Sequence, residues 1–173
     1  RAFGAEALAD VSAYTDMSSG DWFYTDLRKA VAMGVISGSN GKLNPNAPIT
    51  REEVCAVLYR AFLLQDGGSL PFGDASDVSD WAKQAVAAMA AGGYLAGDAN
   101  GNVNPGRTIT RAEFAQLLDN LVKGYPSGTA GGVIEGNAVV KTAGADLSGM
   151  VIKGDLILAD GLGMADVDLS GCT

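Results

Sequence analysis

Two short stretches of this chain carry its clearest structural signal: Ile49-Thr-Arg-Glu-Glu53 and Ile109-Thr-Arg-Ala-Glu113. In both, Thr and Glu stand three residues apart and directly precede an apolar stripe. That spacing is typical of a capping box, in which the Thr hydroxyl accepts from the Glu amide while the Glu carboxylate accepts from the Thr amide. We therefore predict two equivalent helices, with structural caps at Thr50, Glu53, Thr110 and Glu113.

The two stretches belong to a longer internal repeat. Upstream of each, an Asp, a Trp, two Gly and an Asn-Pro pair recur in the same order and at a nearly constant offset. Apolar residues follow each Trp at helical spacing, and a Gly then stands where a helix would end in a left-handed residue. Each copy is thus predicted to be a helix, a loop and a second helix. The paired positions are Asp16 and Asp74, Trp22 and Trp81, Gly34 and Gly93, Gly38 and Gly97, and Pro45 and Pro105.

The repeat divides the chain into predicted segments, with the two copies at residues 14–68 and 69–124. Residues 1–3 match residues 60–62, so we expect residues 1–13 to be the tail of a preceding copy with its linker, and the parent protein to hold three copies. A linker rich in Gly, Ser and Thr follows at 125–132.

Residues 133–173 have a different character. Short β-rich runs alternate with Gly and Asp, and Asp-Leu-Ser-Gly recurs at 146–149 and 168–171. We predict a parallel β-solenoid-like segment. Because only about two turns are present, it is expected to be cut short or to pack on another element. The predicted fold class is therefore mainly α, followed by a short all-β segment.

Composition and charge exclude several functions. The net charge of −8 argues against nucleic acid as a partner, because a phosphate backbone needs a basic face. The absence of His removes the Ser-His and Cys-His catalytic arrangements and the commonest metal ligand. No stretch is long and apolar enough to span a membrane, so no membrane insertion is expected. Cys55 lies on an apolar stripe and is predicted to be a core residue, and nothing in the sequence indicates a disulfide to Cys172.

The repeated unit resembles the S-layer homology (SLH) motif. The matching features are an aromatic-x-Asp start, a Trp about six residues later, Gly-x-x-x-Gly after the first helix, Asn-Pro and Thr-Arg-(Ala/Glu)-Glu, over residues 14–123. Copy two keeps Ile-Thr-Arg-Ala-Glu-Phe114, whereas copy one departs from the pattern with Val54 and Cys55 after its second Glu.

This resemblance implies a pseudo-threefold bundle of three motifs, located at the bacterial cell surface. Its grooves are expected to bind secondary cell-wall polysaccharide that carries ketal-linked pyruvate on an amino sugar. The groove candidates carried over to this sequence are Arg51, Arg111, Asp16, Asp74, Trp22, Trp81, Gly38 and Gly97. We expect no catalytic residues, no cofactor and no metal.

Each groove candidate also has a structural interpretation. Arg51 and Arg111 either bind a carboxylate together with free amides of the helix start, or bridge a neighbouring carboxylate such as Asp16 or Asp74. The two tryptophans either stack on sugar rings or are half-buried core anchors, an alternative that we favour slightly. The glycines either serve turns or admit a ligand close to the backbone.

Two other patterns are weaker. The stretch Asp98-Ala-Asn-Gly-Asn-Val-Asn104 looks like a calcium loop but lacks the Gly and Glu that such loops need at their sixth and twelfth positions. The carboxylates Asp74, Asp77 and Asp80 precede a helix, which fits capping better than acid/base catalysis.

The sequence thus predicts a non-catalytic module that anchors a surface protein to the cell wall by binding polysaccharide. One alternative is a structural assembly module that associates with other chains of its kind. The other is the non-catalytic part of a secreted polysaccharide-degrading enzyme.

Overall fold

The computed structural model describes residues 5–127, 131–159, 162 and 166–173. In this part of the chain four α-helices precede four short strands, as the sequence predicts. Residues 1–3, matched to a preceding copy, and residues 128–130 of the linker lie outside the described residues. The helices are α1 Tyr24–Ala32, α2 Arg51–Ala61, α3 Lys83–Ala91 and α4 Arg111–Leu121, with a 3₁₀ turn at Ala75–Asp77.

The starts of α2 and α4 confirm the predicted capping boxes. The Thr50 hydroxyl accepts from the Glu53 amide at 3.3 Å, and the Glu53 carboxylate accepts from the Thr50 amide at 2.7 Å. Thr110 and Glu113 make the same two bonds at 3.2 Å and 2.9 Å. Two amides that a helix start leaves without an intrahelical partner are thereby used in each copy.

The ends of α1 and α3 confirm the prediction for the glycines. Gly34 and Gly93 adopt φ of +70° and +72°, directly after the last helical turn. The residue after each Gly donates its amide back into the helix, from Val35 to Ala30 and from Tyr94 to Met89. This is the Schellman arrangement, which favours Gly because a Cβ is strained at positive φ.

Helix α2 ends in the same arrangement without a glycine. Leu64 donates its amide to the Tyr59 carbonyl at 3.1 Å, and Leu63 takes the left-handed position with φ +50°. The Leu63 side chain is 82% exposed, so packing does not repay the conformational cost.

The residues divide into two compact units, the first spanning Ala7–Leu117. In this unit α2 of copy one packs against α3 of copy two. Its core is formed by buried apolar residues from both copies, including the loop between α3 and α4, and the most buried of them are at most 3% exposed. They include Val54, Leu58, Val86, Met89 and Val103. Cys55 is also fully buried, as predicted, and burial raises the pKa of its thiol to about 12.

The second unit contains the described residues from Leu118 onward together with Ala5 and Glu6. Its strands are β1 Gly132–Ile134, β2 Ala138–Val140, β3 Met150–Ile152 and β4 Leu156–Leu158. They form two parallel pairs, in which Val133 aligns with Val151 and Val139 with Ile157. Because both pairs have the same offset along the chain, one chain segment stacks on the next. An apolar cluster centred on Val140, Leu147 and Met150 lies within this stack.

Replacing Leu63 with Gly should stabilise the protein. The substitution removes the cost of a left-handed Leu, about 1–2 kcal/mol, against about 0.5–1 kcal/mol of extra chain entropy in the unfolded state. We expect Leu63→Gly to raise the urea midpoint. Leu64→Gly, at a position only 8% exposed, is the matched control and should lower it through lost burial. A Leu63→Gly variant less stable than wild type would contradict this account.

Candidate functional site

Arg51, the first residue of α2, reaches from copy one into copy two. Its Nε donates to the Val103 carbonyl at 2.8 Å, and its guanidinium lies 3.4 Å from the Glu113 carboxylate. A further bond reaches the Ala96 carbonyl at 3.4 Å. The Arg51 side chain is only 11% exposed. Arg51 thus forms an ion pair with a carboxylate, as one of its two interpretations predicts. The partner is Glu113, so the prediction of Asp16 or Asp74 as the partner is wrong.

The backbone at the start of α2 is also bound by copy two. The Arg51 amide donates to the Arg107 carbonyl at 2.9 Å, and the Glu52 amide donates to the Pro105 carbonyl at 3.1 Å. Immediately upstream, the Ile109 amide donates to the Ile49 carbonyl at 3.1 Å. The expectation that these helix-start amides are free for a ligand is therefore wrong for α2, because loop carbonyls of copy two occupy them.

Glu52 makes a further contact between the copies, which is not among the residues predicted from the sequence. Its side chain is 9% exposed, and its carboxylate accepts from the Ser79 amide at 3.0 Å and the Ser79 hydroxyl at 2.9 Å. A buried carboxylate needs such partners. A signal was present in the sequence, because copy two carries Ala112 at the equivalent position.

Glu113 accepts from both copies. One carboxylate oxygen accepts from Arg107 and Arg51, and the other accepts from the Thr110 amide and hydroxyl, each at 2.9 Å. The bond from Arg107, followed by the bonds from Thr110, lowers the pKa of Glu113 to about 2. The capping glutamate of copy two is therefore also the acidic partner at the contact between the copies.

Arg111 occupies the same place in copy two but has a different environment. It is exposed, and across the described residues neither its guanidinium nor its backbone amide has a hydrogen bond or an ion pair. The same holds for the Ala112 amide. Of the two arginines predicted to bind a carboxylate, Arg111 thus has its donors available, whereas those of Arg51 are engaged.

Asp16 and Asp74 hold the loops in place. The Asp16 carboxylate accepts from the Leu43 amide at 3.0 Å and the Asn44 amide at 2.7 Å. Asp74 accepts from Val103 at 2.8 Å and from Asn104 at 2.7 Å, so its predicted capping role is wrong. Burial works to raise the pKa of Asp16, but these amide bonds outweigh it and the pKa lies below its ordinary value.

Gly38 and Gly97 are crowded by their own loops. A Cβ on Gly38 would meet the Lys42 carbonyl oxygen at 2.3 Å, and one on Gly97 would meet the Gly101 backbone at 2.9 Å. Gly38 also has φ +64°. The turns therefore require glycine at both positions, because a side chain would not fit.

The two tryptophans lie just before α1 and α3, at the surface. Trp22 is 82% exposed and Trp81 is 54% exposed. Trp22 contacts Phe23 edge to face, with ring centroids 5.4 Å apart. The favoured interpretation of a half-buried core anchor is wrong for Trp22. An exposed indole face has the area to stack on another flat apolar surface.

The acidic residues near α3 take local roles. The Asp98 carboxylate accepts from the Asn104 side chain and from the Asn100 and Asn102 amides, which together lower the pKa of Asp98. Asp80 pairs with Lys83 in the first turn of α3. These carboxylates therefore hold their own loop and helix start.

The family comparison matches the S-layer homology domain at residues 13–55 and 71–115, about half of the chain.

This chain belongs to the S-layer homology domain family.

Three relatives illustrate where such SLH repeats occur. The chain is 36% identical to the surface-layer 125 kDa protein of Lysinibacillus sphaericus over 68% of its own length and 10% of that protein. It is 34% identical to an amylopullulanase of Thermoanaerobacterium thermosulfurigenes over 64% of its length and 6% of that protein. An exoglucanase of Acetivibrio thermocellus is 32% identical over 64% of the chain and 11% of that enzyme. The chain thus spans a small part of these relatives.

SLH repeats place the chain at the bacterial cell surface, in association with the S-layer or cell wall. They are non-catalytic anchoring modules. Among the described residues, no helix is long and apolar enough to cross a membrane.

Removing Arg51 and removing Arg111 should affect stability differently. Arg51→Ala deletes bonds between the copies, and a hydrogen bond that involves a charged group contributes about 1.5–3 kcal/mol. Arg111→Ala deletes an exposed cation and should change the free energy of unfolding by less than about 0.5 kcal/mol. Urea denaturation of both variants measures the difference. Equal effects would contradict the asymmetry of the two repeats.

The lowered pKa of Glu113 predicts a pH dependence with a defined sign. A carboxyl group whose folded pKa is depressed contributes stability above its unfolded pKa of about 4.5, and this contribution is lost as pH falls toward about 2. Glu113→Gln keeps a residue that serves a capping box but removes the charge. The stability gap between wild type and Glu113→Gln should be constant above pH 5 and shrink between pH 4.5 and 2. A gap independent of pH would exclude this role.

Proposed function

We propose that this chain anchors a surface protein to the bacterial cell wall by binding pyruvylated secondary cell-wall polysaccharide, and that Arg111 binds the carboxylate of the ketal-linked pyruvate. The observation that carries the proposal is the contrast between the two arginines. Arg51 has its donors engaged by copy two, whereas Arg111 is exposed and unpaired within the described residues.

The chemistry at Arg111 suits a sugar-borne carboxylate. A guanidinium presents two parallel N–H donors that match the two oxygens of a carboxylate. The Arg111 and Ala112 amides lie at the start of α4, where unpaired N–H groups and the helix dipole favour an anion. A single carboxylate at this position would neutralise Arg111 and use donors that otherwise face water.

The tryptophans support recognition of the sugar ring. Trp22 and Trp81 stand at equivalent places in the two repeats, and both rings are largely exposed. An indole stacked on the apolar face of a sugar ring would bury area that the folded chain leaves in water. We propose that each ring lines the groove of its own repeat.

The other predicted groove residues have structural partners. Asp16 and Asp74 bind loop amides, Arg51 binds copy two, and Gly38 and Gly97 are crowded by their own loops. Any contact of these five residues with the glycan remains a prediction, and would use atoms other than those already bonded.

Parallel strand pairing in the β segment supports a solenoid-like arrangement. The two strand pairs of this segment are parallel, and paired residues are the same distance apart along the chain in both. The backbones of Asp146 and Asp168 also form an isolated parallel β-bridge. We propose that it forms coils of a β-solenoid in the surface protein that the SLH repeats anchor.

Binding to purified wall polysaccharide tests the Arg111 assignment. Arg111→Ala should weaken binding at least about tenfold in titration calorimetry, since a charge-assisted bond contributes about 1.5–3 kcal/mol. Lys83→Ala, which removes another exposed cation, is the matched control and should bind as wild type does. Polysaccharide from which the pyruvate has been removed should bind wild type as weakly as intact polymer binds Arg111→Ala. Unchanged binding in both arms would sink the proposal.

A further inference from the structure

The loops of the two repeats turn back with different lengths. In copy one, Ser39 and Lys42 pair across a turn, and the amide of each donates to the carbonyl of the other, at 2.8 Å and 3.0 Å. Only Asn40 and Gly41 lie between them, with φ of +50° and +70°. Two central residues at positive φ are typical of a type I′ turn, for which Asn-Gly is a preferred sequence.

The corresponding turn of copy two holds one residue more. The Asp98 amide donates to the Asn102 carbonyl at 2.8 Å, and Ala99, Asn100 and Gly101 lie between them. Of these three residues only Gly101 has a positive φ, of +77°. Both turns therefore contain an Asn-Gly pair, but in two different backbone conformations.

The Gly amide of the pair is bonded in copy two and open in copy one. The Gly101 amide donates to the Asp98 carbonyl at 2.9 Å, and the Asp98 carboxylate accepts from the Asn100 amide at 2.8 Å. In the part of the chain that the structure describes, the Gly41 amide donates no hydrogen bond and the Asn40 side chain makes none. The shorter turn leaves this amide unused, because its hydrogen bonds join the residues on either side of the pair.

Packing of one repeat on another does not cover this position. Copy one binds the loop of copy two chiefly through carbonyls of residues 103–107, and Asn100 and Gly101 stay exposed. Asn40 and Gly41 are exposed as well. A repeat packed on copy one in the same way would contact the residues that follow the turn and leave the Asn-Gly pair in water.

We propose that Asn40 is a site of spontaneous deamidation in the folded protein, and that the fold protects Asn100 from the same reaction. The Gly41 amide loses its proton, and its nitrogen attacks the side-chain carbonyl carbon of Asn40. A C–N bond forms and closes a five-membered succinimide. The Cγ–Nδ2 bond of Asn40 breaks, and its nitrogen leaves as ammonia with the proton that Gly41 gave up. Water then opens the ring at either carbonyl, which leaves aspartate or isoaspartate at position 40.

The two turns resist this attack to different extents. Attack requires rotation of the Asn backbone, so the turn must open. The bonds that close the turn of copy one are the two between Ser39 and Lys42, whereas opening in copy two also breaks the bonds of Gly101 and Asn100 to Asp98. One restraint is common to both, since the carbonyl of each Gly accepts one amide from the start of its own repeat, at 3.0 Å. Local opening costs less free energy where fewer hydrogen bonds hold the backbone.

Isoaspartate would change the shape of the loop as well as its charge. It routes the main chain through the former side chain, which adds one atom to the backbone of the turn. Turn length sets the pairing of the flanking residues, so Ser39 and Lys42 could not keep both of their bonds. The loop is closely packed here, because a Cβ on Gly38 would meet the Lys42 carbonyl oxygen at 2.3 Å. We therefore expect the modified protein to unfold at a lower urea concentration than the unmodified protein.

Ageing of the purified chain tests the proposal. The protein is incubated in mildly alkaline buffer with and without urea, and the two Asn-Gly peptides are then assayed by mass spectrometry and by enzymatic methylation of isoaspartate. In urea both pairs should react at similar rates, since no fold distinguishes them. In the folded protein Asn40 should be converted several-fold faster than Asn100. Equal rates in the folded protein, a faster reaction at Asn100, or no conversion of Asn40 would overturn the proposal.

Two variants and one independent measurement make the test specific. Asn40→Gly is the matched control, because Gly accepts a positive φ and has no side-chain amide. Its urea midpoint should stay constant during ageing, whereas that of wild type and of Asn100→Gly should fall. Amide hydrogen exchange of fresh protein should be faster at Gly41 than at Gly101. Equal protection of the two amides, or a midpoint that falls equally in Asn40→Gly, would contradict the proposed role of the turn.

Discussion

The start of helix α2 is bound by the loop of the following repeat, and the arrangement of the first unit depends on this contact. A helix start exposes amides that need acceptors, and Arg51 puts a positive charge beside the positive end of the helix dipole. The carbonyls of Val103, Pro105 and Arg107 and the Glu113 carboxylate meet both needs. The unpaired amides and the Arg51 charge, which are both unfavourable within copy one, thereby bind copy one to copy two.

That contact requires a loop whose carbonyls point outward together. Asp74 fixes this geometry by accepting the amides of two consecutive residues, the second of which is the left-handed Asn104. Asp16 does the same for Asn44. The aromatic-x-Asp start of each repeat therefore acts on a loop well downstream in the same repeat, and its carboxylate fixes the backbone of that loop.

Repetition of the sequence does not produce repetition of the environment. Arg51 is nearly buried, whereas Arg111 is exposed. The same residue in the same capping motif thus joins the repeats in copy one, whereas in copy two its donors have no partner among the described residues.

Local structure follows from sequence patterns that span only a few residues. Capping boxes, left-handed glycines at helix ends, helix positions and the β-rich runs depend on neighbours within a few residues, so their patterns were sufficient to predict Thr50, Gly34 and the strand from Ala138 to Val140. The hydrogen-bond and ion-pair partners of the repeated side chains depend on tertiary packing. Arg51 binds Val103 and Glu113, which are distant in the chain and belong to the other repeat. The sequence pattern offers only the nearer carboxylates Asp16 and Asp74 as possible ion-pair partners. Exposure depends on tertiary packing as well, since the slightly favoured interpretation of Trp22 is a half-buried anchor and its side chain is 82% exposed. Equivalent residues in two repeats carry the same local signal, and only the packing of one repeat on the next determines which of them remains unbound.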